Sequence, residues 1–224
     1  DALIGCRSLD RDYIVDGDLK AFVKEIRDIF GGTIIEFKRE GFIRLGFREG
    51  LTFDFSKPQG SLTEDLSKRD FTINALAWSP EKGVIDLYNG LEDIKKKKIR
   101  ALSEINLIYD PLRMFRAYRF AAELNGSIEK ETRNLIKTLN NNIKKVTSER
   151  ITLELFNLLN PVHSSKYLKM ALSDGLMSCS TRVGDPRSIF ASSSRMLPGR
   201  LMNTGPVGGV SAMAASTCAT VTEA

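Results

Sequence analysis

Asp10 and Asp12 stand two residues apart in the stretch "LDRDYIV", residues 9 to 15, among side chains that otherwise suit a buried strand. A strand has a side-chain period of two, so both carboxylates point to one face, where like charges repel unless a cation lies between them. A divalent metal answers that arrangement; a pair of solvated carboxylates on a strand edge is the plainer reading. A third acid, Asp54, lies in "LTFDFS", where alternation puts Leu51, Phe53 and Phe55 on one face and Thr52, Asp54 and Ser56 on the other. It joins the first two if its strand runs alongside theirs, and is an ordinary surface residue if it does not.

Two further stretches bring polar groups together at useful spacing. In "KRDFTINA" the planar fork of Arg69 suits a phosphate or a ribose, and Asp70 can fix that fork or accept from a ribose hydroxyl, with Asn74 close behind. A structural ion pair tying the loop to a sheet uses the same residues. In "DPLRMFRAYRF" Asp110 and Pro111 read as the cap and first residue of a helix, with Arg113 one turn on. A carboxylate acceptor beside a guanidinium donor complements the pairing edge of cytosine and adenine, which show an amino donor next to a ring-nitrogen acceptor. Uracil and guanine would leave those groups unpaired, and burial makes that costly. A helix cap with a first-turn arginine is the simpler account. Arg116 and Arg119 follow at three-residue steps and either touch a triphosphate or solvate the helix face.

These residues need a scaffold of two kinds. After the first strand, Asp18 caps an amphipathic helix with apolar Leu19, Phe22, Val23, Ile26, Ile29 and Phe30, ended by Gly31 and Gly32. "TIIEF", "FIRLGF" and "LTFDF" read as antiparallel strands, "SKPQGSLTEDLSKRD" as a long polar connection, and "FTINALAWSP" and "GVIDLYNG" as strand or strand-helix elements. "LEDIKKKKIR" reads as a short helix with a basic face. From Asp110 onward the pattern is helical, including "EKETRNLIKTLNNNIKKV", "SERITLELFNLL" and "SSKYLKMALSDGL", and Glu149 with Arg150 is expected to cap a helix and form a buried ion pair. The fold class is therefore α+β: a mixed or antiparallel sheet followed by an all-α segment.

Composition narrows the function classes. The 224 residues carry 33 Lys plus Arg against 28 Asp plus Glu, and the net charge of +5 favours a polyanionic partner. Cys6, Cys179 and Cys218 have no paired spacing, which argues against a disulfide framework or a zinc site and for a reducing cytoplasm. No apolar run approaches the roughly 18 residues of a membrane span. The lone His163 and Trp78 read as structural, and the lysine runs as solvated faces.

The motifs "GCRSLDRDYIV", "LTFDFS", "SKRDFTINALAW", "DLYNGLEDIKKKKIR", "DPLRMFRAYRFAAEL" and "SERITLEL", in that order, resemble the class II tRNA nucleotidyltransferases (CCA-adding enzymes and their CC-adding and A-adding relatives) and the bacterial poly(A) polymerases, within the polymerase-β-like superfamily. The resemblance covers residues 1 to about 176. It implies a nucleotidyltransferase head followed by a helical neck, adding C or A from CTP and ATP to the 3′ end of tRNA, with Mg2+ held by Asp10 and Asp12. It further implies that Arg69, Asp70 and Asn74 lie in the nucleotide site and that Asp110 and Arg113 read the base. A poly(A) polymerase and a catalytically inactive RNA-binding relative are the other readings. The sequence departs from the family at Lys68, where an arginine is usual, and at Tyr109, where an acid is usual.

The expected domains are a head over 1–103, a neck over 104–160 and the start of a helical body over 161–176. Residues 177–224, rich in Ser, Thr, Gly, Ala and Met, are expected to encode no fold. The family's Gly-rich phosphate-binding turn would precede Asp1 and its helical body would continue past 176, so the chain is expected to be an incomplete enzyme with weak Mg2+-dependent nucleotide binding.

Overall fold

A computed structural model describes residues 9–37, 41–58, 60–177 and 219–222. The chain divides into two compact units, one built on residues up to Lys96 together with a strand at 219–222, the other beginning at Lys97. The architecture is α+β, a mixed sheet in the first unit and helices in the second.

The first unit contains β1 (Asp10–Asp16), α1 (Leu19–Phe30), β2 (Thr33–Glu36), β3 (Phe42–Gly46), β4 (Thr52–Ser56), α2 (Leu62–Ser67), β5 (Leu76–Ser79), β6 (Gly83–Asp86) and α3 (Gly90–Lys95). Its strands form one sheet in the order β2-β3-β4-β1-β9-β5-β6, where β9 is Ala219–Thr222. β2 through β4 pair antiparallel, as the sequence predicts, but β4 meets β1 in parallel, and β9 is parallel to both β1 and β5. Within the stretch expected to encode no fold, β9 is thus a sheet strand; the remainder of 178–224 lies outside the described residues.

Alternation sorts the sheet into an apolar and a polar face. Tyr13, Val15, Ile43, Leu45, Phe53 and Phe55 point toward α1, which answers with Leu19, Phe22, Val23 and Ile26 to form a core cluster. Tyr13 stacks on Phe55 with ring centroids 5.1 Å apart and meets Phe53 edge-on at 5.3 Å. Asp18 caps α1, its Oδ1 accepting from the amides of Lys20 and Ala21. The long polar connection is more ordered than its composition suggests. It holds α2, opened by a capping box in which Ser61 accepts from the Glu64 amide and Glu64 accepts from the Ser61 amide.

The second unit contains β7 (Lys98–Ile99), α4 (Glu104–Tyr109), α5 (Arg113–Leu124), β8 (Ser127–Ile128), α6 (Lys130–Leu139), α7 (Ser148–Leu159) and α8 (Ser164–Ser173). α5 is its axis, burying Met114, Phe115, Ala117, Tyr118, Ala121 and Ala122. α7 and α8 pack against it. No described helix is long and apolar enough to cross a membrane.

Candidate functional site

The parallel register of β1 on β4 sets Asp10 opposite Thr52 and Asp12 opposite Asp54. All lie on the polar face of the sheet, so the three acids named from the sequence do share one surface. Thr52 Oγ1 donates to Asp10 Oδ1. On the other side of β4, Arg44 stands opposite Asp54 and donates Nε to Oδ1 and Nη2 to Oδ2, both at 2.6 Å. Sequence reasoning missed Arg44; the polar-face position of an arginine in "FIRLGF", one strand away from Asp54, was the signal.

Burial pushes the Asp12 carboxyl above its ordinary value; the Arg69 charge opposes this, while Asp54 and Asp10 add to it. Arg69 therefore lies within electrostatic reach of Asp12. Arg69 also pairs with Asp65 of α2 at 3.1 Å. Asp70 is buried, and its Oδ1 accepts from the Phe71 amide and from Asn74 Nδ2, each at 2.9 Å. The two acidic and amide groups therefore close a turn on each other.

The turn is clamped from beneath. Thr72 Oγ1 donates to buried Asp93 of α3 at 2.6 Å. Asp86 caps α3 by accepting from the amides of Tyr88, Gly90 and Leu91. Gly90 brings the helix so close that an added Cβ would lie 2.2 Å from the Thr72 carbonyl oxygen, a separation only glycine allows.

In the second unit, Asp110 does not begin the helix as the Asp-Pro pair suggests. α5 starts at Arg113, and Asp110 ends α4 in extended conformation while its Oδ1 accepts from the Leu112 amide at 3.3 Å. The proline fixes its own φ and leaves a short turn before the helix. Asp110 Oδ2 accepts from Arg150 Nη2 at 3.0 Å, and Arg113 Nη1 donates to the Asn106 carbonyl at 3.3 Å. Arg150 reaches the acid expected to read the base, and its side chain is 52% exposed, so the expected buried pair at "SER" is a surface pair. The buried acid of α7 is Glu154, which accepts from Arg119 Nε at 2.6 Å, while Arg119 Nη1 donates to Glu123 at 2.7 Å. Arg119 thus braces α5 on α7. Arg116 lies over the Phe120 ring, its guanidinium carbon 5.4 Å from the centroid. Tyr109 is exposed.

Among the described residues no three acids, histidines or cysteines close into a ready metal cage. Two aspartates on one strand face, with oxygen donors only, are nevertheless the kind of partial site that suits Mg2+, which keeps several waters and takes its other ligands from substrate phosphates.

A family model described as "Poly A polymerase head domain" matches residues 49–100, and one described as "Probable RNA and SrmB- binding site of polymerase A" matches 127–179. The chain is 35% identical over 182 residues to a CC-adding tRNA nucleotidyltransferase of Synechocystis sp., covering 79% of this chain and 44% of the relative. It is 38% identical over 181 residues to a CCA-adding enzyme of Leuconostoc mesenteroides, covering 73% and 45%. Among solved structures, a Thermotoga maritima CCA-adding enzyme complexed with tRNA superposes with a TM-score of 0.72 at 27% identity, covering 79% of this chain and 45% of that one. A CCA-adding enzyme in complex with ATP does so with the same score and identity, covering 79% and 44%. The chain belongs to the class II CCA-adding tRNA nucleotidyltransferase and poly(A) polymerase head family. It spans less than half the length of these relatives.

Proposed function

We propose that the chain carries the catalytic half of a template-independent nucleotidyltransferase that extends the 3′ end of tRNA with C or A. The single observation supporting this most strongly is the register that puts Asp10, Asp12 and Asp54 on one face of the sheet, where the Arg69 charge is felt at Asp12. In the reaction, the RNA 3′-hydroxyl oxygen forms a bond to the α-phosphorus of CTP or ATP, the α–β phosphoanhydride bond breaks, pyrophosphate leaves, and the hydroxyl proton passes to solvent. Asp10 and Asp12 would hold Mg2+, which when bound would supply neutralisation of the triphosphate and a more acidic 3′-hydroxyl. Arg69 offers its fork to a phosphate or ribose oxygen, and Asp70 with Asn74 keeps the turn that presents it. Asp110 and Arg113 read the amino and ring-nitrogen edge shared by cytosine and adenine, with Arg150 orienting Asp110. Residues 1–103 act as the head and 104–160 as the neck.

Binding of fluorescent CTP, ATP, UTP and GTP to the full chain, with and without Mg2+, tests the reading, alongside addition of labelled nucleotide to tRNAs ending before the first C and after CC. CTP and ATP are expected to bind in a Mg2+-dependent way and the other two at least tenfold more weakly. The Asp10→Ala, Asp12→Ala double substitution abolishes that binding. Intact RNA binding combined with nucleotide binding indifferent to both aspartates would instead make this an RNA-binding relative without the reaction.

A further inference from the structure

Asp54 is the acid that its position makes the natural third partner of Asp12, and Arg44 already holds both of its oxygens. The fork is bidentate at 2.6 Å per bond, set by adjacent positions across β3 and β4, and Asp54 is only 13% exposed. The Arg44 guanidinium carbon also lies 6.0 Å from the centre of the Phe37 ring. A rigid planar donor pre-shaped to a carboxylate is not easily displaced. A divalent ion joining Asp54 would have to break that fork and sit beside a fixed positive charge.

We propose that Arg44 withholds Asp54 from the metal, so that a divalent cation is held by Asp10 and Asp12 alone and Asp54 serves to anchor a permanent cation at the edge of the acidic face. Arg44 is then a positioning residue that sets how many carboxylates the ion meets and tempers the charge around it. The proposal rests on the reading of Asp10 and Asp12 as the metal pair. It also explains why the described acids do not close into a three-ligand cage although three of them share a face.

Mn2+ titration of the full chain, with free Mn2+ followed by electron paramagnetic resonance and no nucleotide present, separates the possibilities. Arg44→Gln releases Asp54 and is expected to tighten Mn2+ binding about tenfold, because affinity follows the number of charged ligands. Arg44→Lys keeps the charge but engages one oxygen, and falls between parent and Arg44→Gln. The paired substitution Arg44→Gln, Asp54→Asn leaves net charge unchanged and replaces the fork by an amide pair of similar size, so the fold is retained. It is expected to bind Mn2+ within about threefold of the parent, since neither residue meets the ion. A larger loss in the paired variant makes Asp54 a ligand, and no gain in Arg44→Gln shows that the fork is not what keeps Asp54 from the ion; either result overturns the proposal. Asp12→Asn reports on the underlying reading separately: unchanged Mn2+ binding in that variant removes the metal pair itself.

Discussion

Asp174 after α8 is buried and Asp12 on the polar face of the sheet stays exposed and is only partly desolvated, and their carboxyls move in opposite directions. Burial pushes Asp12 up, with Arg69 offsetting only part of it and two neighbouring aspartates adding to it. Burial pushes at Asp174 the same way, but hydrogen bonds from Arg133 and Tyr118, followed by the Arg133 and Lys137 charges, carry it below its ordinary value. Arg133 reaches it through Nε at 2.6 Å and Nη2 at 2.9 Å, and the Tyr118 hydroxyl donates at 2.7 Å. Desolvation is common to both; the count of donors decides the sign. The second unit saturates its buried acid with partners. The first leaves an acid short of them on the face proposed to hold a cation, as functional sites often do.

That contrast breaks most visibly at Asp174. Asp174→Ala strands Arg133 and the Tyr118 hydroxyl, and is expected to cost about 3–5 kcal/mol. A urea melt followed by helical circular dichroism would show it as a lower midpoint; a cost below 1 kcal/mol would mean the cluster is not a brace.

Acid sharpens the same comparison. The folded Asp174 holds its proton less tightly than the unfolded chain, whose ordinary value is 3.8. Its stabilisation is therefore complete above that value and is lost as pH falls through the lower folded value. Urea midpoints measured from pH 5 to pH 2 should fall, and Asp174→Asn should flatten the fall.

Asp12 obeys the reverse sign. Its folded carboxyl takes a proton more readily than the unfolded one, so its penalty is absent at low pH and complete above the raised folded value. Because Asp12 is exposed and screened by solvent, Asp12→Asn is expected to raise Tm at pH 7 by only about 1–2 °C while nucleotide binding is lost, and to lose that advantage in acid. A lower Tm at pH 7 would show that Asp12 is compensated in the parent.

The smallest effect belongs to a pair outside both clusters. Lys20 and Glu36 meet at 3.0 Å with side chains 73% and 58% exposed. Glu36→Gln should move the midpoint by less than about 0.5 kcal/mol, as screened surface pairs do.

What was legible in the sequence follows from the range of the forces involved. Period-two alternation and a local cap were enough to read β1, α1 and β4, because their signals lie within a few residues. α2 was also legible in principle, since "SLTE" is a capping-box signature, but a Pro and a Gly nearby suggested an unstructured connection. The placement of Asp54 beside Asp12 required knowing that β4 runs parallel to β1, a pairing that no local pattern encodes. The same holds for Arg44 on Asp54 and Arg150 on Asp110, where partners lie 10 and 40 residues apart. The three-residue step from Arg116 makes Arg119 either a triphosphate contact or part of a solvated helix face. Only the packing of α7 on α5 supplies Glu154 as its partner.

The clamp under the "KRDFTINA" turn bears on the thermodynamics of binding there. Thr72 on Asp93, the three amides on Asp86 and the close approach at Gly90 hold the backbone around Asp70 and Asn74 from several directions. A ligand arriving at that turn has little backbone left to order, so its association carries a small conformational-entropy cost and owes its selectivity to contacts it makes on arrival. Loosening the clamp would weaken every such ligand alike, without teaching the turn to prefer one base over another.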